Sequence, residues 1–579
     1  MESIQLEAQE LQNIEAFCRL LGILRYFHPS TAATKADWNQ MAVSGIQTIK
    51  SVANSQELAI QLEQLLQPIA PTLRVLPKQE PYTIPQILFP SCRQRAIKTV
   101  RWKHLGMGTG SIFQGWRWFF NPFYKSQKEY TNVPSHRSFN DIFLEDWIWQ
   151  ATLPGNLVAY VPLVLFTNFW GTFPQGLAKP PKLKLKLTPD DWAVRLADVA
   201  IAWNAFQHFY PYFDVVSVDW QNVLPEALQS AATSSSPSAY LNVIKRMVAL
   251  LQDGHGQVID KSILPYCLPL TWVWIENQIA IAHVLPEQRE VLHPGDVVVT
   301  IDNRPVAEVA AETEQFCSGS PQLKPFSVLM ELLLGEQNAI RQLTVRSPEG
   351  ELRDITVVHE VPVTQMPQEP RLQDISELKP GIFYVNLELS NSRFSQALQR
   401  LQQAQGIIFD LRGYPRSAAR AIQHLIQESV ESAQWLVPIL YKPDRKDMSF
   451  EELKRWQLPP RSPYLKANRV FLVDGRAMSQ TETWLGIIDR YKLGDIVGST
   501  TAGTNGNMNG FRLPSGITIL WTGMKVYKHD GSQHHLVGFQ PTVAVSRTIQ
   551  GVRDRKDELV ERAIEVLQSN GLANGGHRC

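Results

Sequence analysis

The chain has little that would mark it for a metal, a membrane or a nucleic acid. Its five cysteines (Cys18, Cys92, Cys267, Cys317 and Cys579) are odd in number and far apart in 579 residues. No CxxC or Cys/His spacing points to zinc, and no dense disulfide framework is implied. A reduced protein without metal or cofactor is the expectation. An excess of one charge is also missing. With 56 basic and 55 acidic residues, no overall field draws nucleic acid or an anionic lipid surface. The most apolar long window, "LPGNLVAYVPLVLFTNFWGTF" (153–173), holds two prolines and two asparagines. It therefore reads as paired strands and predicts no membrane insertion. The start, "MESIQLEAQELQ", is acidic and polar, unlike a signal peptide. A soluble, cytoplasmic location follows as an expectation.

What is present is an ordinary globular composition, 44% hydrophobic and 19% charged, in a chain too long for one core. It contains an internal repeat. "LLGILRYFHPSTAATKADW" (20–38) matches "AWNAFQHFYPYFDVVSVDW" (202–220), so that Phe27, Pro29, Asp37 and Trp38 recur as Phe209, Pro211, Asp219 and Trp220. This predicts two related helical modules, 1–74 and 189–262, whose aromatic residues serve core packing. Between them, 75–188 is aromatic and β-branched with frequent Gly and Pro ("IKTVRWKHLGMGTG", "GWRWFFNPFY"), a β-rich insert that leaves through "LAKPPKLKLKL". Residues 263–362 read as a compact barrel-like unit. "GDVVVTIDNRPV" is strand, Asp-Asn turn and strand, "QLKPFSVLMELLLG" a helix, and "IRQLTVRSPEGELRDITVV" a hairpin around Pro-Glu-Gly. From 363 to 579 strand and helix periods alternate ("GIFYVNLEL", "SRFSQALQRLQQAQ", "GIIFDLRG", "SAARAIQHLIQESV", "RVFLVDG"). They predict an α/β domain closed by "DRKDELVERAIEVLQ" (554–568), with "LANGGHRC" as a frayed tail. The fold class is thus multidomain α/β.

In that last domain, "VFLVDGRAMSQTETW" (470–484) runs from a strand into a helix that begins at Ser479. Ser479-Gln-Thr-Glu482 has the spacing of a capping box, in which the hydroxyl caps the third amide and Glu482 reaches back. A serine at a strand-to-helix turn also lies near the positive helix end, whose unpaired amides stabilise an oxyanion. Cap and nucleophile are both open at this point.

Four stretches occur in order: "GIIFDLRGYP" (406–415), "VFLVDGRAMSQTETW", "DIVGSTTAGTNG" (495–506) and "YKHDGSQHHLVGFQPTV" (527–543). They resemble the successive motifs of the C-terminal processing (tail-specific) serine peptidases, a family that includes the core peptidase of tricorn. Upstream, "LLQDGHGQV" (250–258) resembles the segment preceding that family's PDZ domain, and "GDVVVTIDNRPV" resembles the PDZ domain itself. The resemblance spans roughly 190–570. It implies a crotonase-like α/β core with a PDZ-like β module, and a polypeptide substrate.

By resemblance, Ser479 falls on the family's nucleophile and Glu482 on the glutamate three positions later. Asp410, Arg412 and Gly413 fall on an Asp-Leu-Arg-Gly motif whose glycine amide contributes to the oxyanion hole, with the Gln480 amide as second donor. His255 falls on the general base of the tricorn-like branch. Two departures stand out. The lysine base of the processing branch is replaced by Thr504, which cannot accept the serine proton at neutral pH, so His255 is the expected base. The glutamate that supports the tricorn-like histidine is replaced by His535, and the aspartate beyond it by Thr542. A neutral imidazole at 535 orients His255 but lacks a carboxylate's charge. Asp253 is an alternative support that points elsewhere if the backbone to His255 is extended. His534 and His535 also read as hairpin surface residues, and Asp410–Arg412 as a structural ion pair. The sequence therefore leaves three functions standing: a serine endopeptidase, a silent peptide-binding scaffold on the same fold, and a small ester or amide hydrolase. It leaves oligomerisation open.

Overall fold

The computed structural model describes residues 1–89, 98–108, 123–133, 145–176, 185–261, 265–372, 374–445 and 448–575. Most of "GWRWFFNPFY" and of "LAKPPKLKLKL" lies outside the described residues. The two repeat copies are helical. The first has its main helices at Ala8–Phe27, Trp38–Ile49 and Ser55–Leu66, and the second at Trp192–Phe209, Trp220–Thr233 and Pro237–Ala249. The repeated Asp performs the same task twice. Asp37 accepts the amide of Gln40 and Asp219 that of Asn222, so each carboxylate caps the helix its tryptophan begins. The repeated Phe27 and Phe209 stack within one shared core, with ring centroids 6.4 Å apart. Their role is packing.

The strands between the copies do not form a closed unit. Lys98–Leu105 pairs with Trp435–Leu440, so a seven-stranded sheet spans the 75–188 stretch and the C-terminal region. Similarly, Gln257–Ile259 beyond the second helical module joins the hairpin Met508–Arg512/Thr518–Thr522. The predicted strand pairs within 153–173 are present.

The 263–362 unit is a six-stranded antiparallel sheet with Leu270–Ile275 at one end and the helix Lys324–Leu333 against it. Its Asp302-Asn303 turn has φ of 51° and 62°, the left-handed pair that a tight hairpin demands and Asp and Asn tolerate. The C-terminal domain holds a second six-stranded sheet. Its inner strands, including Ile382–Asn386, Gly406–Asp410, Asn468–Val473 and Asp495–Gly498, run parallel and are buried on both faces. The architecture is multidomain α/β.

Helix boundaries differ from expectation where tertiary contacts intervene. "SAARAIQHLIQESV" is helical only over Ala418–Gln423, because the carbonyls of Gln423 and His424 are taken by the amides of Arg461 and Leu465. The closing helix runs Glu558–Gly575, since Arg555 at φ +55° interrupts its expected start, and it continues into the predicted tail. Among the described residues, no helix is long and apolar enough to cross a membrane.

One buried carboxyl joins the second helical module to the Thr518–Thr522 hairpin. Asp198 is fully buried and accepts the Tyr240 hydroxyl at 2.5 Å and the Ser515 amide at 3.1 Å. Burial, only partly offset by the hydrogen bonds from Ser515 and Tyr240, pushes its pKa up to about 7. The folded state therefore retains a proton that the unfolded chain releases near pH 4. This contribution to stability is complete below the unfolded value and is lost as pH rises through 7. In Asp198→Asn the difference disappears. Thermal unfolding from pH 5 to 8 should show wild type losing stability relative to the variant, and parallel curves would refute this.

Candidate active site

Ser479 stands between strand Asn468–Val473 and helix Gln480–Arg490 with φ 58° and ψ −120°. A side chain with a Cβ adopts this region only when its surroundings hold it there. An N-cap serine needs extended dihedrals to aim its hydroxyl at the helix amides. Ser479 lacks them, and its hydroxyl caps nothing. The capping box expected from Ser479-x-x-Glu482 is therefore absent, and the hydroxyl makes no hydrogen bond to any described residue.

Glu482 instead turns across to the 501–504 loop. Nearly wholly buried, it accepts the Thr501 hydroxyl at 2.5 Å and the amides of Gly503 and Thr504, both at 2.8 Å. It also lies 3.1 Å from His534 Nε2. The loop so clamped returns a carbonyl to the serine: Ser479 N–H donates to Thr504 O at 2.7 Å. These contacts fix the unusual backbone at 479.

The same Thr504 reaches Gly254, the residue before His255. Its hydroxyl, where a lysine was expected, accepts the Gly254 amide at 3.1 Å. Ser479 is thus bonded to the carbonyl, and the neighbour of His255 to the side chain, of one buried residue. His255 Nδ1 lies 2.8 Å from Thr522 Oγ1, and that hydroxyl donates to Asp253 Oδ1 at 2.6 Å. With its only proton so committed, Thr522 must accept from Nδ1–H, leaving Nε2 as the free acceptor. Asp253, fully buried, also accepts the amides of Thr522 at 2.5 Å and His255 at 3.0 Å. The Asp253–Gly256 turn, closed by Gly256 N–H to Asp253 O at 2.8 Å, folds the carboxyl back toward the ring rather than away. Burial holds the His255 pKa below the usual imidazole value, although the Asp253 and Glu482 carboxylates oppose the shift.

His535 does not support His255. Its ring stacks on Tyr212 at 3.9 Å, Nε2 approaches the Tyr210 hydroxyl at 3.4 Å, and Nδ1 is buried without a partner. Burial brings its pKa to about 4. Neither His534 nor His535 is a surface residue. Thr542 binds the backbone of Ile496 at the sheet. Thr522, which completes the contact to His255, was invisible in the sequence because a threonine in a strand has no distinguishing pattern. Antiparallel pairing supplies it: Leu520 faces Gln257, and two steps along the same register bring Thr522 opposite His255.

Asp410 and Arg412 form a buried pair at 2.7 Å, with Asp557 also 2.7 Å from Arg412 and the Tyr384 hydroxyl donating to Asp410. Burial would raise the Asp410 pKa, but the Arg412 guanidinium outweighs it and holds the carboxyl below its usual range. The Arg412 amide also donates to Asp410 at 2.9 Å, which pins the loop ahead of Gly413. At Gly413, a Cβ would sit 1.5 Å from a carboxyl oxygen of the flexible Glu388 side chain, which accepts the Tyr414 amide at 3.2 Å. The Gly413 loop and the turn to Ser479 leave the same ends of adjacent parallel strands, where open α/β sheets place their sites. Gln480 contributes the first amide of the helix that follows Ser479.

Residues 372–545, which span these loops from Asp410 to Thr542, match the model of peptidase family S41. The chain carries a family S41 peptidase domain. Mature CPAF complexed with lactacystin superposes with a TM-score of 0.55 at 15% identity, over 65% of this chain and 98% of that one. A second crystal structure of mature CPAF gives 0.55 at 14%, over 67% and 99%. The photosystem II D1 C-terminal processing protease gives 0.38 at 16%, over 61% and 93%. The likeness to CPAF is one of fold. No curated protein matches the chain by sequence. His255 and Asp253 lie upstream of the matched S41 segment, and Thr522 lies within it.

Proposed function

We propose that this S41 domain is a serine endopeptidase in which Ser479 is the nucleophile and His255 the general base, acting on unfolded or C-terminal peptide segments. Ser479 Oγ attacks the scissile carbonyl while His255 Nε2 takes its proton. The amides of Gly413 and Gln480 receive the oxyanion. Collapse breaks the C–N bond, and His255 returns the proton to the leaving amine. Water then hydrolyses the acyl-enzyme by the same route. Thr522 and Asp253 position the imidazole and set its tautomer. The Asp253 carboxylate, one hydrogen bond further from the ring than in a Ser-His-Asp triad, favours the imidazolium that forms.

The observation that carries this reading is the Asp253–Thr522–His255 chain tied through Thr504 to Ser479. The substrate class draws on a second feature. A cavity of about 480 Å³ lies between edge strand Leu270–Ile275 and helix Lys324–Leu333, lined by Trp272, Trp274, Phe326 and Met330 and reaching Asp474 and Ser499 of the peptidase domain. An open strand edge beside an apolar helix face suits an extended peptide added as a further strand, the binding mode of a PDZ module.

A fluorophosphonate probe tests the reading. Wild type should be labelled and Ser479→Ala should not. The labelling rate should fall only as pH drops below the ordinary imidazole range, because His255 is held neutral to a lower pH. Equal labelling of both proteins would overturn it. So would labelling of neither, and if peptide binding then survived Ser479→Ala, the silent scaffold would replace it.

A further inference from the structure

We propose that the cleft where the barrel-like unit, the 369–371 connector and the peptidase loops meet is a binding site for a phosphate group. This cleft adjoins the peptide cavity, with which it shares Glu369, Arg412, Arg476 and Arg547, and the proposal does not rest on the peptidase reading. The cleft encloses about 420 Å³. Guanidinium groups enter it from separate parts of the chain: Arg289 from the barrel-like unit, Arg371 from the connector, Arg412 and Arg476 from the core loops, and Arg547 and Arg555 from the C-terminal segment.

Half of these are already neutralised. Arg412 is shared by Asp410 and Asp557, Arg476 pairs with Asp474, and Arg547 pairs with Glu369. The Lys556 ammonium at the rim pairs with Asp554. The remaining three make no salt bridge among the described residues, although the Arg371 charge also helps to lower the Asp410 pKa. Arg371 reaches only the Arg412 carbonyl, and Arg289 only that of Val284, both at 3.4 Å. The Arg555 side chain has no ion pair or hydrogen bond among the described residues, and its backbone stands at φ +55°. In the cleft wall, burial and then the charges of Arg289 and Arg555 lower the His283 pKa, with Glu369 opposing them.

Three guanidinium groups without an ion pair line one concave space, Arg289 and Arg555 exposed and Arg371 half-buried, and an anion with several acceptor oxygens suits them. A phosphate group supplies them with up to two negative charges and matches the planar, bidentate geometry of arginine. A lone carboxylate would leave most of the excess charge in place. Occupancy would reach the catalytic side of the molecule through Arg371 and Arg412, because Arg371 touches the carbonyl of the residue preceding Gly413.

Thermal shift and titration calorimetry on the full chain test this with inorganic phosphate, pyrophosphate and a nucleoside monophosphate, against potassium chloride at matched ionic strength. The three arms distinguish free phosphate from a phosphate ester. At least one should stabilise wild type and bind saturably. The double variant Arg371→Gln/Arg555→Gln should bind roughly tenfold or more weakly, as the loss of charge-assisted hydrogen bonds predicts. Both residues lack an ion-pair partner, so the variant should fold, and Lys492→Gln on the exposed surface should bind as wild type does. No response in wild type, or an equal response in the double variant, would overturn the site. Binding of an acidic peptide where none of the phosphates bind would overturn its assignment to phosphate.

Discussion

Ser479→Gly should make the protein more stable and end its reactivity. The residue has φ 58° and ψ −120°, and its hydroxyl bonds to nothing described. Strain at such a residue costs of order 1–3 kcal/mol, which a glycine does not incur. Against this stands the greater freedom that glycine gives the unfolded chain, up to about 1 kcal/mol. A net gain of roughly 1 kcal/mol is expected, read as a rise in denaturation midpoint at unchanged slope. Ser479→Ala keeps the Cβ and should gain nothing. Both variants lack the proposed nucleophile, so turnover should fall by about 10⁶-fold, the scale measured for removal of a nucleophilic serine. The contrast between the two variants is the test. If glycine destabilises or matches alanine, the backbone at 479 is not under strain. If peptide turnover persists in either, Ser479 is not the nucleophile.

Thr522→Val should cost nearly as much in rate with almost no change of shape. Valine preserves the strand and its amide bond to Asp253 but removes the hydroxyl that accepts from His255 Nδ1 and donates to Asp253 Oδ1. The imidazole loses the partner that selects its tautomer, and the carboxylate loses its link to the ring. A fall in kcat of about 10²–10⁴ follows from comparable losses in general-base systems, with KM little changed because Thr522 does not face the bound peptide in this scheme. The buried Nδ1–H of His255, left without its acceptor, should cost about 1–3 kcal/mol of stability. Thr522→Ser should restore most of the rate, which separates the hydroxyl's role from packing. A kcat within threefold of wild type in the valine variant would remove Thr522 and Asp253 from the mechanism.

Much of the architecture was legible because it depends on local chemistry. The Asp-Asn turn at 302–303, the two helical modules of the repeat, and the alternating strands and helices after 378 follow from dihedral preference and hydrophobic period. The position of Ser479 at a strand-to-helix turn was legible for the same reason. Its conformation was not, because Ser-x-x-Glu has the same spacing whether the glutamate caps the helix or crosses to Thr501, Gly503 and Thr504.

The support of His255 shows the limit most clearly. His535, placed by motif order, stacks on Tyr212, while Asp253 and Thr522 hold the imidazole. Asp253 was near enough in sequence to be considered, but its direction depends on a turn. Thr522 is far away in sequence, brought opposite His255 by a strand pair between the end of a helical module and a hairpin of the peptidase domain. The sequence by itself determined the element types, the repeat and the location of the candidate nucleophile, since these arise from interactions within a few residues. Only the tertiary structure decided which side chains complete the site, because a hydrogen bond between distant strands is set by register, and register is a property of the folded sheet.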